Sequence, residues 1–177
     1  VTTRAAERFR EMCVTVLGSG YAPFASGTFG SAAAAAIYLA CWFAADFVGL
    51  HTPLFDLVVV APGMLLATVG GILLGPWAIA RYGRKDPKPF VLDEFAGQWA
   101  ALILMPPCAT ATTTGLLAVV ASQFFLFRAL DVIKPPPANW IDRDWPAGWG
   151  ITLDDVVAGI YANFIGQILW RATPLAT

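Results

Sequence analysis

Long apolar runs separated by short polar segments dominate the pattern of this chain. Residues 32–50 and 57–80 are each close to the roughly 20 residues that a helix needs to cross a bilayer. A third run, 95–127, is interrupted by the adjacent prolines Pro106-Pro107. The pattern therefore predicts two membrane spans, then a broken apolar segment, and finally one more apolar helix near the carboxyl end.

The proline pair decides where the following segment lies. Proline removes a helical hydrogen bond and disfavours helix in the residue before it, so one straight helix through 95–127 is not expected. Two short helices that meet at Pro106-Pro107 would return the chain to the face from which it came. The polar segment that follows should then share a side with Asp93 and Glu94, which precede the run.

Composition places the chain in a bilayer. Hydrophobic residues make up 58% of the 177 residues and charged residues only 13%, an apolar share well above that of ordinary soluble domains. This length allows a single domain, residues 1–177, with about four to five membrane-embedded helices. The segment 2–11 mixes arginine with glutamate ahead of a short apolar stretch, which is a poor signal peptide. We therefore predict an all-α, polytopic helical membrane protein with an amino-terminal surface helix.

Basic residues set the orientation of the predicted spans. Arg81, Arg84, Lys85 and Lys88 cluster in the connection between the second span and the acidic pair. Loops rich in arginine and lysine lie in the cytoplasm by the positive-inside rule. The arginines of the amino terminus agree, because two spans between them and this loop return the chain to the same side. The acidic pair is therefore expected on the cytoplasmic face.

Several kinds of site are excluded by residue counts. The net charge is −1 and no basic stripe is present, so no nucleic-acid partner is expected. Cys13, Cys41 and Cys108 are widely spaced, which argues against a disulfide framework or a zinc site. None of them is followed by the arginine of a Cys-x-x-x-x-x-Arg phosphatase loop. A single histidine, His51, excludes phosphatases that need more than one.

Acidic residues stand at the ends of the apolar runs in three places: Asp93 with Glu94, Asp131, and Asp154 with Asp155. A charged side chain costs roughly 2.5–3.5 kcal/mol at the centre of a bilayer, so acids at a membrane boundary are usually paired with a cation or a base. Convergent carboxylates suit a hard divalent cation, and Mg²⁺ takes one or two of them together with substrate phosphate. The pattern therefore predicts Mg²⁺ as a cofactor.

A basic and acidic trio follows the broken run. Arg128 and Asp131 are three residues apart and so share one helical face, and Lys134 follows one step further before prolines end the helix. The trio is either a surface salt bridge or a phosphate-binding group. In the second case arginine binds two phosphate oxygens and lysine supplies a point charge.

The first span is preceded by a segment rich in glycine, serine and proline. Its candidate binding residues are Gly18, Gly20, Gly27, Thr28, Gly30 and Ser31. Amides at a helix start bind anions, and glycines let a phosphate approach the backbone closely. No Gly-Lys-Ser/Thr follows, so this is not a P-loop. The segment is either a phosphate cradle or only a tight entry into the helix.

One stripe of the last helix carries two polar residues with a small one between them. Asp155, Gly159 and Asn163 recur every four residues and so lie on one face of an otherwise apolar helix. Capping by Thr152 and the helix dipole would account for one aspartate at the helix start, but not for the stripe. We predict that this face is functional.

Four motifs follow one another along nearly the whole chain. They are Gly18-x-Gly20-x-x-Pro23-x-x-x-Gly27-Thr28-x-Gly30-Ser31, Asp86-Pro87 leading to Asp93-Glu94-x-x-Gly97, Phe127-Arg128-x-x-Asp131-x-x-Lys134-Pro135, and Asp154-Asp155-x-x-Ala158-Gly159. In this order they resemble the phosphatidylglycerophosphatase A family. Its members are bacterial membrane enzymes that depend on magnesium and remove the terminal phosphate of phosphatidylglycerophosphate to make phosphatidylglycerol. This sequence has Ser26 where the family more often has proline, a departure in loop shape.

The resemblance and the residue chemistry together give the expected site. We expect Asp93, Glu94, Asp154 and Asp155 to hold Mg²⁺, and Asp131, Arg128 and Lys134 to act in catalysis. The substrate would be bound by Gly18, Gly20, Gly27, Thr28, Gly30 and Ser31. The nucleophile is either water activated by the metal or a carboxylate.

The resemblance also implies where the protein acts. We expect a multi-pass protein of the bacterial inner membrane, with its active site on the cytoplasmic face, a phosphatidylglycerophosphate substrate and no obligate protein partner. Two other classes fit the composition: a small transporter with cation-binding acids, or a scaffold whose motifs are only helix caps and topology signals. A transporter's acids should lie in mid-span, whereas these lie at span ends beside basic residues, which favours the enzyme.

Overall fold

The computed structural model describes residues 3–50 and 53–172, and every regular element in them is helical. The α-helices are α1 (Arg4–Val14), α2 (Ser26–Phe47), α3 (Ala61–Tyr82), α4 (Leu92–Leu102), α5 (Pro107–Thr110), α6 (Thr113–Ile133), α7 (Ala138–Asp144) and α8 (Ala147–Ala172). A short 3₁₀ turn, Ser19–Tyr21, precedes α2, and a π-helical turn, Asp56–Val60, runs directly into α3. The all-α prediction is confirmed for these residues. The single histidine, His51, is outside them.

Within residues 3–50 and 53–172, three helical stretches are long and apolar enough to cross a membrane: Ser26–Phe47, Asp56–Tyr82 and Thr113–Ile133. The second agrees closely with its predicted bounds, whereas the first begins earlier than predicted because the end of the glycine-rich segment is itself helical. The count of four to five membrane-embedded helices stays a prediction. The three stretches fit a polytopic helical membrane protein.

The short helix α4 occupies the centre of the bundle and is buried along most of its length. Its closest neighbour is α8, and the two meet at a pair of glycines. A Cβ atom added to Gly159 would lie 2.1 Å from the carbonyl oxygen of Gly97, so only glycine permits this approach. Small residues at helix contacts are the usual way for membrane helices to pack closely. In the predicted stripe of Asp155, Gly159 and Asn163, the residue Gly159 therefore serves in helix packing.

The broken apolar run returns the chain as predicted, but by unequal helices. Instead of two short helices that meet at Pro106-Pro107, the structure has α4 with 11 residues and α6 with 21. Between them, Leu104 adopts a left-handed conformation and the short helix α5 follows the proline pair. The prediction of a second short helix was wrong, because after the break the apolar sequence is long enough for a full span.

Side chains of α8 bind the backbone that α4 leaves unpaired where it ends. The amide of Asn163 donates to the carbonyl oxygens of Ala101 and Ile103, at 3.1 and 2.6 Å. The amide of Gln167 donates to the carbonyl of Leu104 at 2.5 Å. Non-helical backbone at membrane depth is tolerated only where protein or water satisfies it. The break is therefore stable because α8 supplies donors.

The amino-terminal helix α1 packs against the end of α3. It covers Arg4–Val14 and so begins and ends slightly later than the predicted segment 2–11. The indole of Trp77 donates to the Glu7 carboxylate at 3.1 Å. Val14 is buried, whereas Phe9 and Met12 are exposed. The predicted surface helix is thus present, with apolar side chains on its outer side.

Candidate active site

A cavity of about 390 Å³ lies where the starts of α2, α4 and α8 meet the end of α6 and the connection after α3. Its charged lining residues are Asp86, Lys88, Asp93, Glu94, Arg128, Asp131, Lys134, Asp142, Asp154 and Asp155. The three acidic groups predicted to share one face therefore line one cavity. These four helix ends and the connection lie at the same end of the bundle.

Three carboxylates form the centre of this site. One oxygen atom from each of Asp93, Glu94 and Asp155 lies within 4.8 Å of the others. Asp93 and Asp155 are only 4% and 5% exposed, respectively. They face one another because α4 and α8 are held in contact by their glycines.

Burial and mutual repulsion make this cluster unstable as a set of bare charges. Burial raises the pKa of Asp93 well above its usual range, and the neighbouring Glu94 charge raises it further. Burial also raises the pKa of Glu94, against the lowering effects of its hydrogen bond with Asp93 and of the Arg128 charge. One oxygen of Glu94, Oε2, is buried without a hydrogen-bond partner. Carboxylate oxygens in this arrangement match the ligands that Mg²⁺ takes in proteins.

Arg128 and Asp131 form the ion pair predicted from their spacing, and the pair lies inside the cavity. The Nη1 atom of Arg128 is 2.9 Å from Oδ2 of Asp131, and both side chains are less than one-fifth exposed. Arg128 also donates to the hydroxyl of Ser31 at 3.4 Å. The Asp131 side chain in turn contacts that of Asp155. The alternative of a plain surface salt bridge does not describe this pair.

Lys134 is held between two aspartates rather than extended into solvent. Its ammonium group lies 2.5 Å from Oδ2 of Asp154 and 3.0 Å from Oδ2 of Asp142. Burial alone would lower the pKa of Lys134, but the hydrogen bonds and charges of both aspartates outweigh it and raise that pKa. Asp154, expected among the metal ligands, therefore faces Lys134, whereas Asp155 faces the carboxylate cluster.

The glycine-rich segment divides into a part that lines the cavity and a part that packs. Ser26 and Gly27, at the start of α2, line the cavity. Ser31 does not line it, but its hydroxyl accepts a hydrogen bond from Arg128, which does. The free amides and positive dipole of a helix start favour an anion there. Gly18, Gly20, Thr28 and Gly30 do not line it.

Close packing explains two of these glycines. A Cβ atom on Gly20 would lie 2.2 Å from the carbonyl oxygen of Pro89, and one on Gly30 would lie 2.6 Å from the Cβ atom of Val91. Both contacts hold the start of α2 against the segment that leads into α4. The tight helix entry is thus present at Gly20 and Gly30, and binding of phosphate at Gly27 stays a prediction.

Sequence reasoning missed Asp142 as the second partner of Lys134. The position was noticeable only in the triplet Asp142-Arg143-Asp144, and the structure separates its members. Arg143 and Asp144 pair with each other on the surface at 2.7 Å, while Asp142 turns into the cavity. No periodic pattern marks such a residue, since it lies in a short helix between prolines and tryptophans.

Comparison with known proteins gives the same family over nearly the whole chain. The family model described as phosphatidylglycerophosphatase A matches residues 12–170. The chain is 35% identical to phosphatidylglycerophosphatase A of Escherichia coli over 158 residues, which cover 89% of this chain and 81% of the relative. It is 33% identical to a putative phosphatidylinositol-3-phosphatase of Bacteroides thetaiotaomicron, covering 84% of this chain and 85% of the relative.

A shorter match of 34% identity covers 49% of this chain and 48% of phosphatidylglycerophosphatase A of Haemophilus influenzae. No solved structure matches. The matched residues 12–170 include every residue of the carboxylate cluster and its basic neighbours. By the extent of these matches, the chain belongs to the phosphatidylglycerophosphatase A family.

Proposed function

We propose that this protein hydrolyses the terminal phosphate monoester of phosphatidylglycerophosphate to phosphatidylglycerol and inorganic phosphate, with Mg²⁺ as cofactor. Membership of the family supports the reaction. The observation that carries the proposal is the cavity itself, in which a buried carboxylate cluster, an arginine and a helix start face one another. A metal site beside separate anion-binding groups suits the hydrolysis of a phosphate monoester.

Asp93, Glu94 and Asp155 would hold the Mg²⁺ ion. The fit rests on three oxygen donors in mutual reach and on the buried, unpartnered Oε2 of Glu94. Bound there, Mg²⁺ supplies positive charge that polarises the phosphate and neutralises charge developing on its oxygens.

Arg128 is the group that binds and orients the phosphate. Its guanidinium is fixed by Asp131 and Ser31, and its Nη2 atom faces Gly27 at the start of α2. Two phosphate oxygens can therefore contact the guanidinium fork while the helix amides contact a third. Lys134 adds a positive charge near the same cavity but is held by its own aspartates.

Water is the nucleophile in this proposal. Its oxygen attacks phosphorus, the bond from phosphorus to the glycerol oxygen breaks, and the leaving oxygen takes up a proton. Asp131 is a carboxylate in the cavity beside Asp155, and it can accept the proton that water gives up and pass it to the leaving glycerol oxygen. This assigns Asp131 a place in proton transfer in addition to fixing Arg128.

The site faces the cytoplasm of the bacterial inner membrane in this proposal. The last turn of α3, with Arg81, and the connection after it, with Arg84, Lys85 and Lys88, lie at the same end of the bundle as the cavity. The positive-inside rule puts that end in the cytoplasm.

A second lipid deserves a direct comparison because one relative is named a putative phosphatidylinositol-3-phosphatase. Both lipids present a phosphate monoester on a polyol headgroup. The purified protein should be given each of them in detergent micelles, and released phosphate should be measured. We expect release from phosphatidylglycerophosphate, and release only from phosphatidylinositol 3-phosphate would transfer the proposal to that lipid.

Metal dependence is tested in the same assay. Phosphate release should stop in excess EDTA and return with added Mg²⁺. Asp155→Asn keeps the size of the side chain but removes a ligand charge, and should lower kcat/KM by about a hundredfold or more. Asp144→Asn is the matched control, because Asp144 is an exposed aspartate paired on the surface. Full turnover in EDTA would contradict the metal role.

A further inference from the structure

Two large, exposed apolar side chains line the cavity beside its charged residues. Phe24 is 69% exposed and Val132 is 76% exposed, yet both form part of the wall that also contains the carboxylates. Exposed apolar groups beside a charged site mark a place where an apolar partner can bind. An inorganic or fully polar substrate would have no use for them.

The packing of α2 against α6 places these two side chains on one side of the cavity. Gly27 of α2 approaches the Arg128 guanidinium of α6 so closely that an added Cβ would lie 3.0 Å from Nη2. Val132 follows Arg128 by four residues and therefore lies on the same face of α6. Phe24 precedes α2 and packs edge-on against Phe29, with ring centres 5.7 Å apart.

The two helices on this side of the cavity are long and apolar enough to cross a membrane. Ser26–Phe47 and Thr113–Ile133 are two of the three candidate spans. Phe24 stands just before the first and Val132 at the end of the other, so both lie at the level where hydrocarbon meets headgroups. Phe29, also partly exposed, continues the apolar surface along α2.

We propose that Phe24 and Val132 flank a lateral opening through which the diacylglycerol part of the lipid substrate extends into the bilayer while its phosphate is bound at Arg128. The inference rests on the proposed function, since it takes the phosphate monoester to be that of a lipid. The two side chains then contact the glycerol and first acyl carbons. They select for a lipid over a soluble phosphate ester.

The test compares dioleoyl phosphatidylglycerophosphate with its deacylated headgroup, which carries the same phosphate monoester but no acyl chain, in the same detergent micelles. The measured quantity is the ratio of kcat/KM for the lipid to that for the deacylated compound. Phe24→Ser with Val132→Ser should lower this ratio about tenfold, because apolar contact with acyl carbons is lost only for the lipid. Both side chains are exposed, so the double variant should fold, which its thermal midpoint in detergent checks.

Phe9→Ser with Ile133→Ser is the matched control. These residues are of like type and are each 70% exposed, but neither lines the cavity. The control should keep the wild-type ratio. An unchanged ratio in the Phe24 and Val132 variant, or an equal fall in the control, would overturn the opening. A wild-type protein that releases phosphate from neither compound would instead overturn the proposed function, and the opening with it.

Discussion

Replacing Gly27 should change the geometry of the site without changing the stability of the fold. A Cβ atom there would lie 2.2 Å from Oε1 of Glu94 and 3.0 Å from Nη2 of Arg128. Both are ends of long side chains, which can move aside without disturbing the backbone. The glycine therefore sets the distance between the carboxylate cluster and the guanidinium.

We expect Gly27→Ala to lower kcat/KM for phosphatidylglycerophosphate at least about tenfold, because small displacements of positioning groups are costly for catalysis. Its thermal midpoint should stay near that of the wild type. Gly70→Ala is the control, since a Cβ there meets only a methyl group of Leu92 at 3.3 Å. Wild-type kinetics in Gly27→Ala would show that this spacing is not needed.

Among single residues, the sequence predicted those that belong to a local pattern. Arg128 and Asp131 are neighbours on one helix turn, and their ion pair follows from that spacing. The contacts of Lys134 with Asp142 and Asp154 join separate helices, and no periodicity within a helix specifies them. The two adjacent aspartates of α8 also differ in their contacts, because Asp154 binds Lys134 and Asp155 joins the carboxylate cluster. This difference likewise depends on tertiary packing.

At the scale of helices, α8 positions α4 at both ends. Near the cavity, Gly159 allows close contact with Gly97 and brings Asp155 to the carboxylates of α4. At the far end, Asn163 binds the carbonyls after α4 ends. The three residues of the stripe that was predicted to be functional thus differ in role. Asp155 belongs to the carboxylate cluster, Gly159 packs against α4, and Asn163 binds backbone carbonyls. Proline rules located the break in the apolar run, but not the donors that make it possible.

Replacing Asn163 by leucine removes two hydrogen bonds from part-buried backbone carbonyls. We expect a loss of unfolding free energy of about 1–3 kcal/mol for each carbonyl left without a partner. This should appear as a lower thermal midpoint in detergent. Ile160→Ala, an exposed position on the same helix, is the control. An unchanged midpoint in Asn163→Leu would mean that other groups satisfy the carbonyls.

For the whole molecule, the arrangement of helix ends is what creates the site. The cavity collects the starts of α2, α4 and α8 and the end of α6. A second cavity, lined by Trp42 and Asp46 of α2 and Thr113 of α6, lies at the opposite end of the bundle. Basic loops and the proline break predicted this sharing of one face. The shortness and burial of α4 were not predictable, because its apolar sequence reads as part of a full span.

Membrane topology is the last prediction, and it applies to the proposed cytoplasmic site as a whole. Single cysteines should be placed at Arg84, Arg143 and Val48 after the native cysteines are replaced, and an impermeant thiol reagent applied to spheroplasts. Arg84 and Arg143 are exposed at the cavity end, and Val48 is exposed just after α2 ends. We expect Val48→Cys to label at once and the other two only after the inner membrane is opened.

The pattern of labelling distinguishes the possible errors. If Arg84→Cys and Arg143→Cys label at once and Val48→Cys only after the membrane is opened, the site faces the periplasm. The proposed location would then be wrong, but the proposed active site would not be affected. If Arg143→Cys labels from outside while Arg84→Cys is protected, the chain crosses the membrane an odd number of times between them. The end of α6 would then lie on the other side from the start of α4. Asp131 and Arg128 could not reach Asp93, and the active site proposed from this fold would not exist.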